Sequence, residues 1–304
     1  MRDGGESSTA PAREAVAHDA SCHRNVTSTA GCPPPITPSL LQRGNASLHR
    51  APLPFTYVSS VRQLWTAMLA HFAASSVPGD FVETGVAAGG TSVLMLRVML
   101  EHNDSAEAKA RTHWSCDSFM GLPAGVEADH NCTRKTRELD GAASCGYRGK
   151  SHQLSSFRGM FRHGEHEFRR NVRDAGFGRL LHPEPSRPRG PRLRVVPGWF
   201  NRTLPPAGLD RISFLRLDGD LYESTRDGLR ALYPLVAPGG AIYVDDYGGF
   251  GGCRQAVDDY RVLHGVRAKL HRIWEVYQPR RSPGGAAHDY VGRAYEAAWW
   301  IKDG

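Results

Sequence analysis

From Asp80 onward, short apolar segments that read as strands alternate with segments of helical periodicity, and this order admits few folds. Strands are expected at Asp80–Thr84, Thr112–Cys116, Leu193–Val196, Ile212–Leu217 and Ala241–Val244. Helices are expected at Thr91–Glu101, Glu165–Ala175, Ser224–Leu235 and Cys253–Leu263. Buried strands interleaved with helices predict an α/β three-layer sandwich on a mostly parallel sheet. The last two strands, Ile273–Tyr277 and Ala297–Lys302, have no helix between them, which predicts an antiparallel hairpin at one edge. Ahead of the sheet, Val58, Val61, Leu64, Trp65, Met68, Leu69 and Phe72 recur at three- and four-residue spacing. They predict an amphipathic helix over Tyr57–Ser75, stopped near Pro78-Gly79.

Residues 1–52 are rich in Ser, Thr, Ala and Pro and show no sustained period. They read as a disordered tail or stem, leaving 53–304 as one domain. Ala124–Gly164 is a long polar insertion of the kind that is functional or disordered, and Pro183–Pro191 reads as a smaller solvated loop. A hydrophobic share of 40% is enough to build a core, so a wholly disordered chain is excluded. The longest apolar stretch, Ser92–Leu100, is too short to span a membrane and carries Arg97. The net charge of +7 rests on 33 Arg and 5 Lys scattered over the whole chain, so nucleic acid is not an expected partner.

No C-x-x-C pair occurs among the six cysteines, which argues against structural zinc; Cys132 and Cys145 share one loop, either bridged or as two thiols. Five of the six asparagines (Asn25, Asn45, Asn103, Asn131 and Asn201) begin an N-x-[ST] triplet, where composition predicts roughly one. That excess favours a glycosylated protein in a secretory lumen. Met1–Ala20 shows no apolar leader, which keeps the cytoplasm as the alternative.

In open α/β sheets ligands bind at the carboxyl ends of strands. The first strand runs into Glu83-Thr84-Gly85-Val86-Ala87-Ala88-Gly89-Gly90-Thr91, which is not the G-x-G-x-x-G of a pyrophosphate site. Two glycines four apart let backbone approach a ligand, and Glu83 offers a carboxylate instead of a phosphate cradle. This suits a cationic, phosphate-free nucleoside such as S-adenosylmethionine, and it disfavours a nicotinamide dehydrogenase. The second strand ends in Asp117-Ser118, where an acidic side chain can accept both ribose hydroxyls. The fourth and fifth strands end in Asp218-Gly219-Asp220 and Asp245-Asp246. Such carboxylates repel one another unless a cation unites them, so Asp218, Asp245 and Asp246 are a candidate face for Mg²⁺. Asp220 and Tyr222 read as shaping the turn or the substrate wall.

From about Ser59 to Lys302 the chain resembles the macrocin O-methyltransferase family. The resemblance rests on Val77-Pro78-Gly79-Asp80-Phe81-Val82-Glu83-Thr84-Gly85, Asp117-Ser118-Phe119, Pro197-Gly198-Trp199-Phe200 and Leu204-Pro205. It continues through Asp218-Gly219-Asp220-Leu221-Tyr222-Glu223-Ser224-Thr225, Pro238-Gly239-Gly240 and Val244-Asp245-Asp246-Tyr247. It implies a Rossmann-like class I methyltransferase fold with seven strands, S-adenosylmethionine as donor and Mg²⁺ as metal. Glu83, Thr84, Gly85, Gly89 and Thr91 would hold the donor, with Asp117 and Ser118 at its ribose. Asp218, Asp245 and Asp246 would hold the metal, and Asp218 or His152 would take the proton. The acceptor would be a hydroxyl of a sugar, a sugar-bearing small molecule or a glycan, and a homo-oligomer is compatible with this reading. The alternatives are a catechol- or phenol-type O-methyltransferase using the same metal face, or an inactive methyltransferase-like binding protein. The family's N-terminal lid has no recognisable counterpart in residues 1–52, and Ala124–Gly164 is divergent, so the acceptor does not carry over.

Overall fold

A computed structural model describes residues 37–102, 111–130, 154–181, 191–205, 207–277 and 292–304. The strands are β1 (Asp80–Thr84), β2 (Thr112–Asp117), β3 (Arg192–Pro197), β4 (Ile212–Leu217), β5 (Val236–Val244), β6 (His271–Tyr277) and β7 (Gly292–Ile301). They form one seven-stranded sheet in the order β3-β2-β1-β4-β5-β7-β6. β1 to β5 pair in parallel, whereas β7 runs antiparallel to both β5 and β6. The strand order reverses between β1 and β4, and that switch point opens a crevice at their carboxyl ends. The expected α/β sandwich with an antiparallel hairpin is the fold observed.

The main helices are α1 (Pro38–His49), α2 (Ser60–Ser76), α3 (Gly90–Glu101), α4 (Glu165–Val172), α5 (Tyr222–Leu232) and α6 (Gly251–Leu263). Strand side chains alternate between two cores. Phe81, Phe214 and Tyr243 face one core with Trp65, Met68 and Val93, while Val82, Leu215 and Ile242 face the other with Leu229 and Val257. The sheet is thus dry on both faces, which is why its strands read as apolar runs without alternation.

The reading of residues 1–52 as a tail is corrected for its last third. Thr37 caps α1, accepting from the Leu40 N–H at 3.1 Å, and the helix lies on α2. Gly44 makes that approach close, since a Cβ there would stand 2.9 Å from Met68 Cγ. Polar bonds complete the contact. The single hydroxyl proton of Ser47 goes to the Glu101 carboxylate, so Ser47 Oγ accepts from His71 Nε2 at 2.9 Å. Neutral His71 must then accept at Nδ1, where His102 Nε2 lies 2.9 Å away. Arg97 of α3 donates to the carbonyls of Ala51 and Pro52 at 2.8 and 2.9 Å, strapping the segment after α1 to the domain. That explains a cation inside an apolar helix. Of the five sequon asparagines, Asn45 and Asn201 are described: Asn45 donates within α1 to the Leu41 carbonyl, and Asn201 is exposed. Cys116 and Cys253 are buried free thiols; Cys132, Cys145 and most of the long insertion lie outside the described residues.

Burial, reinforced by the charges of His102 and Arg43, pushes His71 down to about 4. A base with a depressed folded pKa binds its proton more readily when unfolded, so stability is full above about pH 6.5 and falls as pH drops toward 4. Unfolding free energy measured by urea between pH 7 and pH 4 should show this loss, of the order of 3 kcal/mol from this group. His71→Gln should flatten that part of the profile.

Candidate active site

The site is built around Arg216, a fully buried cation near the end of apolar β4. Strand register sets it beside Glu83 of β1 and Tyr243 of β5. Its Nη1 meets Glu83 at 3.2 Å and Asp218 at 2.7 Å, while Nη2 meets Asp245 at 2.8 Å. The Tyr243 ring lies 5.4 Å from the guanidinium. Burial alone would lower the Arg216 pKa, but Asp218, Asp245 and Glu83 outweigh it and keep the group charged.

Glu83 is accordingly not a wall of the crevice. It is fully buried, accepts from Ser92 Oγ and Arg216, and lies 3.7 Å from His113 Nε2. Burial opposes its charge, yet the His113, Arg216 and Ser92 contacts hold its pKa below the ordinary value. The expectation that Glu83 faces a donor is therefore corrected: its carboxylate is an internal anchor for β4. Thr84 is also buried, and its carbonyl accepts from the Asp218 N–H. Gly85 follows at φ +79°, and a Cβ there would lie 1.7 Å from the Asp218 carbonyl oxygen, so only glycine fits. Gly89 starts α3 at φ +97° against Phe168.

A cavity of about 450 Å³ opens over the carboxyl ends of β1, β2, β4 and β5. Gly85, Thr91, Asp117, Ser118, Asp218 and Asp246 all line it. Asp117 Oδ2 accepts from the Val86 and Ala87 N–H groups at 2.8 and 3.3 Å, and Oδ1 from Phe119 at 2.7 Å. It thereby joins the loops after β1 and β2. Burial raises its pKa, and those backbone donors partly offset the rise. Ser118 Oγ donates to the Gly121 carbonyl, fixing the turn beneath. Trp199 and Phe200 supply an aromatic wall.

The expected metal face also changes membership. Asp245 is spent on Arg216, on the Tyr243 hydroxyl at 3.0 Å, and on Arg62 of α2. Arg62 in turn pairs with Glu275 of β6 at 3.0 Å and Glu296 of β7 at 2.7 Å. Among the described residues, the convergent carboxylates are Asp218, Asp220 and Asp246, one oxygen from each lying within 4.8 Å of the others. Asp220 reaches them from a left-handed turn at φ +58°, a conformation that Asp tolerates better than most residues. Asp246 Oδ2 is buried and has no hydrogen-bond partner. Burial, followed by mutual repulsion, raises Asp220 and Asp246 well above the ordinary carboxylate range. Burial and Asp245 lift Asp218 to about 6 against the pull of Arg216. An orphaned oxygen within an all-carboxylate set fits a hard divalent cation. His152 lies outside the described residues.

This is the architecture of a class I methyltransferase. The sequence profile of the macrocin-O-methyltransferase (TylF) family matches residues 47–143 and 189–277, and the chain belongs to that family. It is 37% identical over 200 residues to 8-demethyl-8-(2,3-dimethoxy-alpha-L-rhamnosyl)-tetracenomycin-C 4'-O-methyltransferase of Streptomyces olivaceus, covering 66% of this chain and 64% of the relative. It is 38% identical over 199 residues to demethyldecarbamoylnovobiocin O-methyltransferase of Streptomyces niveus, with the same coverage. The chain thus spans just under two thirds of the length of these relatives. Among solved structures, the O-methyltransferase NovP aligns with a TM-score of 0.57 at 30% identity, over 80% of this chain and 81% of that one.

Replacing Arg216 with Met leaves the buried Glu83 and Asp245 and the half-buried Asp218 without their shared cation. Urea unfolding at pH 7 should show a loss of about 3–5 kcal/mol, narrowing as pH falls toward 5 and the carboxylates protonate. An unchanged midpoint would remove Arg216 from its bracing role.

Proposed function

We propose that this protein is an S-adenosylmethionine-dependent O-methyltransferase acting on a hydroxyl of a sugar or sugar-bearing small molecule, with a divalent cation, Mg²⁺, at Asp218, Asp220 and Asp246. The observation that carries this reading is the convergence on one cavity of a β2-end carboxylate, Asp117, with an acidic triad from β4 and β5. The named activities of the relatives, on a rhamnosyl tetracenomycin and on demethyldecarbamoylnovobiocin, agree with it.

Asp117 spends three of about four carboxylate lone-pair sites on backbone N–H groups and keeps one for a ribose hydroxyl, and Trp199, which lines the cavity, would stack on the purine. The donor supplies an electrophilic methyl on a sulfonium, and the cation supplies Lewis acidity to the acceptor oxygen. Asp218, Asp220 and Asp246 would each offer an oxygen to that ion. Asp218, one oxygen tied to Arg216 and adjoining the site of the ion, would be placed to take the hydroxyl proton. The bond from oxygen to methyl carbon forms as the carbon–sulfur bond breaks, giving a methyl ether and S-adenosylhomocysteine. The apolar walls at Leu122, Phe161 and Phe250 keep water from competing.

Asp117→Ala should weaken S-adenosylhomocysteine binding by about 1–3 kcal/mol in calorimetric titration, and it should also lower the thermal midpoint of the free protein, because the Val86, Ala87 and Phe119 N–H groups lose their acceptor. Chelation by EDTA should abolish methyl transfer to a rhamnoside, and Mg²⁺ should restore it. Turnover indifferent to EDTA would leave the donor reading standing and remove the metal.

A further inference from the structure

Both turns that carry the acidic triad run directly into a helix. Asp218 and Asp220 stand in the turn that passes through Leu221 into α5, and Asp246 stands in the turn that passes through Phe250 into α6. The N-cap residues of these helices are Leu221 and Phe250, whose apolar side chains cannot accept the first-turn N–H groups. An acceptor comes from elsewhere in the chain, from the part of the Ala124–Gly164 insertion nearest β2. There Asp129 Oδ1 accepts from the N–H of Tyr222, the first residue of α5, at 2.8 Å.

The same oxygen rests on α6. A Cβ at Gly252 would stand 1.8 Å from Asp129 Oδ1 and 3.0 Å from the Tyr222 nitrogen. Only glycine therefore lets this carboxylate and the start of α5 close on the start of α6. Two helix N-termini, each carrying partial positive charge, meet at one aspartate. Its direction is fixed locally: Oδ2 accepts from the Val126 N–H at 2.8 Å, and the Asp129 N–H donates to the Val126 carbonyl at 2.8 Å. Phe157 backs this turn, its ring packing on Gly125 and lying 6.4 Å from the ring of Phe250.

The acid-bearing turns need such a brace. Asp220 holds φ +58°, a sparsely populated conformation that persists only where the surroundings over-determine it. On one side of it the Asp218 N–H is fixed to the Thr84 carbonyl at 2.9 Å, and on the other the fixed point is the Tyr222 N–H on Asp129. The Asp246 carbonyl accepts from the Phe250 N–H at 2.9 Å, which ties that acid to the start of α6. Three carboxylates that repel one another hold a spacing suited to a cation only if the backbone on both sides is fixed.

We infer that Asp129 is a positioning residue for the divalent cation. By bridging the starts of α5 and α6 it sets the separation between the Asp218–Asp220 turn and the Asp246 turn, and it is not itself a ligand. This rests on the metal reading proposed above and adds to it the residue that preorganises the site.

The test titrates the full-length protein with Mn²⁺ in the presence of S-adenosylhomocysteine, reading free Mn²⁺ by electron paramagnetic resonance. Asp129→Ala should weaken Mn²⁺ binding about 10- to 100-fold, while S-adenosylhomocysteine affinity measured by calorimetry without metal should hold. Asp129→Asn, whose amide oxygen can still accept from the Tyr222 N–H, should recover most of the Mn²⁺ affinity. Gly252→Ala, which displaces the Asp129 carboxylate and leaves every aspartate in the chain, should weaken Mn²⁺ as Asp129→Ala does. With a rhamnoside acceptor, the Mg²⁺ concentration for half-maximal methyl transfer should rise by the same factor in Asp129→Ala, with kcat at saturating Mg²⁺ near that of wild type. Unchanged Mn²⁺ affinity in Asp129→Ala, or equal losses of Mn²⁺ and S-adenosylhomocysteine affinity, would overturn the role of Asp129 and leave the metal reading standing. Wild type that binds S-adenosylhomocysteine but no Mn²⁺ would overturn the metal reading, and the positioning role with it.

Discussion

One buried guanidinium organises this site. Arg216 is fully buried in the sheet and is surrounded by carboxylates from three strands: Glu83 of β1, Asp218 beyond β4 and Asp245 beyond β5. Without it, the charges that end adjacent parallel strands would stand unscreened in a medium of low polarity. With it, the strand ends are drawn into register and the acids beyond them, Asp220 and Asp246, can gather without unfolding the rim. The same cation explains why Asp218 and Asp246 play different parts. Asp218 is half-committed to Arg216, whereas Asp246 Oδ2 meets nothing.

A second guanidinium extends the brace outward. Arg62 of α2 clamps Asp245 from the opposite side and carries the network to Glu275 and Glu296 on the antiparallel hairpin. The helix ahead of the sheet and the two strands at its end are thereby joined through one aspartate at the cavity floor. The segment between α1 and α2, strapped by Arg97, then brings Thr56, Tyr57 and Val58 to the cavity wall.

Much of the fold was legible because the strands are buried on both faces and read as unbroken apolar runs between helical periods. Asp117 and Gly85 were legible because strand ends and positive-φ turns leave local signatures. Three features were not. α1 carries few apolar residues and docks through Gly44 and Ser47, so its period is invisible to hydrophobicity. Glu83 looked like a ligand contact because spacing does not reveal which face of β1 its side chain takes. Asp220 converges with Asp218 and Asp246 where Asp245 was expected, because the sequence shows carboxylates but not the cations that consume them. Signals for those cations existed: Arg216 interrupts an apolar strand, and Arg62 falls on the apolar stripe of α2 between Val58 and Trp65. A charge placed where only apolar residues belong has a partner, and finding that partner requires the fold.

The account depends most on which aspartates remain available for a cation once the two arginines are served. A crystal structure of the protein grown with S-adenosylhomocysteine and Mn²⁺, with anomalous scattering recorded at the manganese edge, addresses that directly. The account predicts one anomalous peak ligated by Asp218, Asp220 and Asp246, with Asp245 still paired to Arg62 and Arg216 and the ribose on Asp117. A peak ligated by Asp245 with Arg62 displaced, or no peak in the cavity at all, would contradict it.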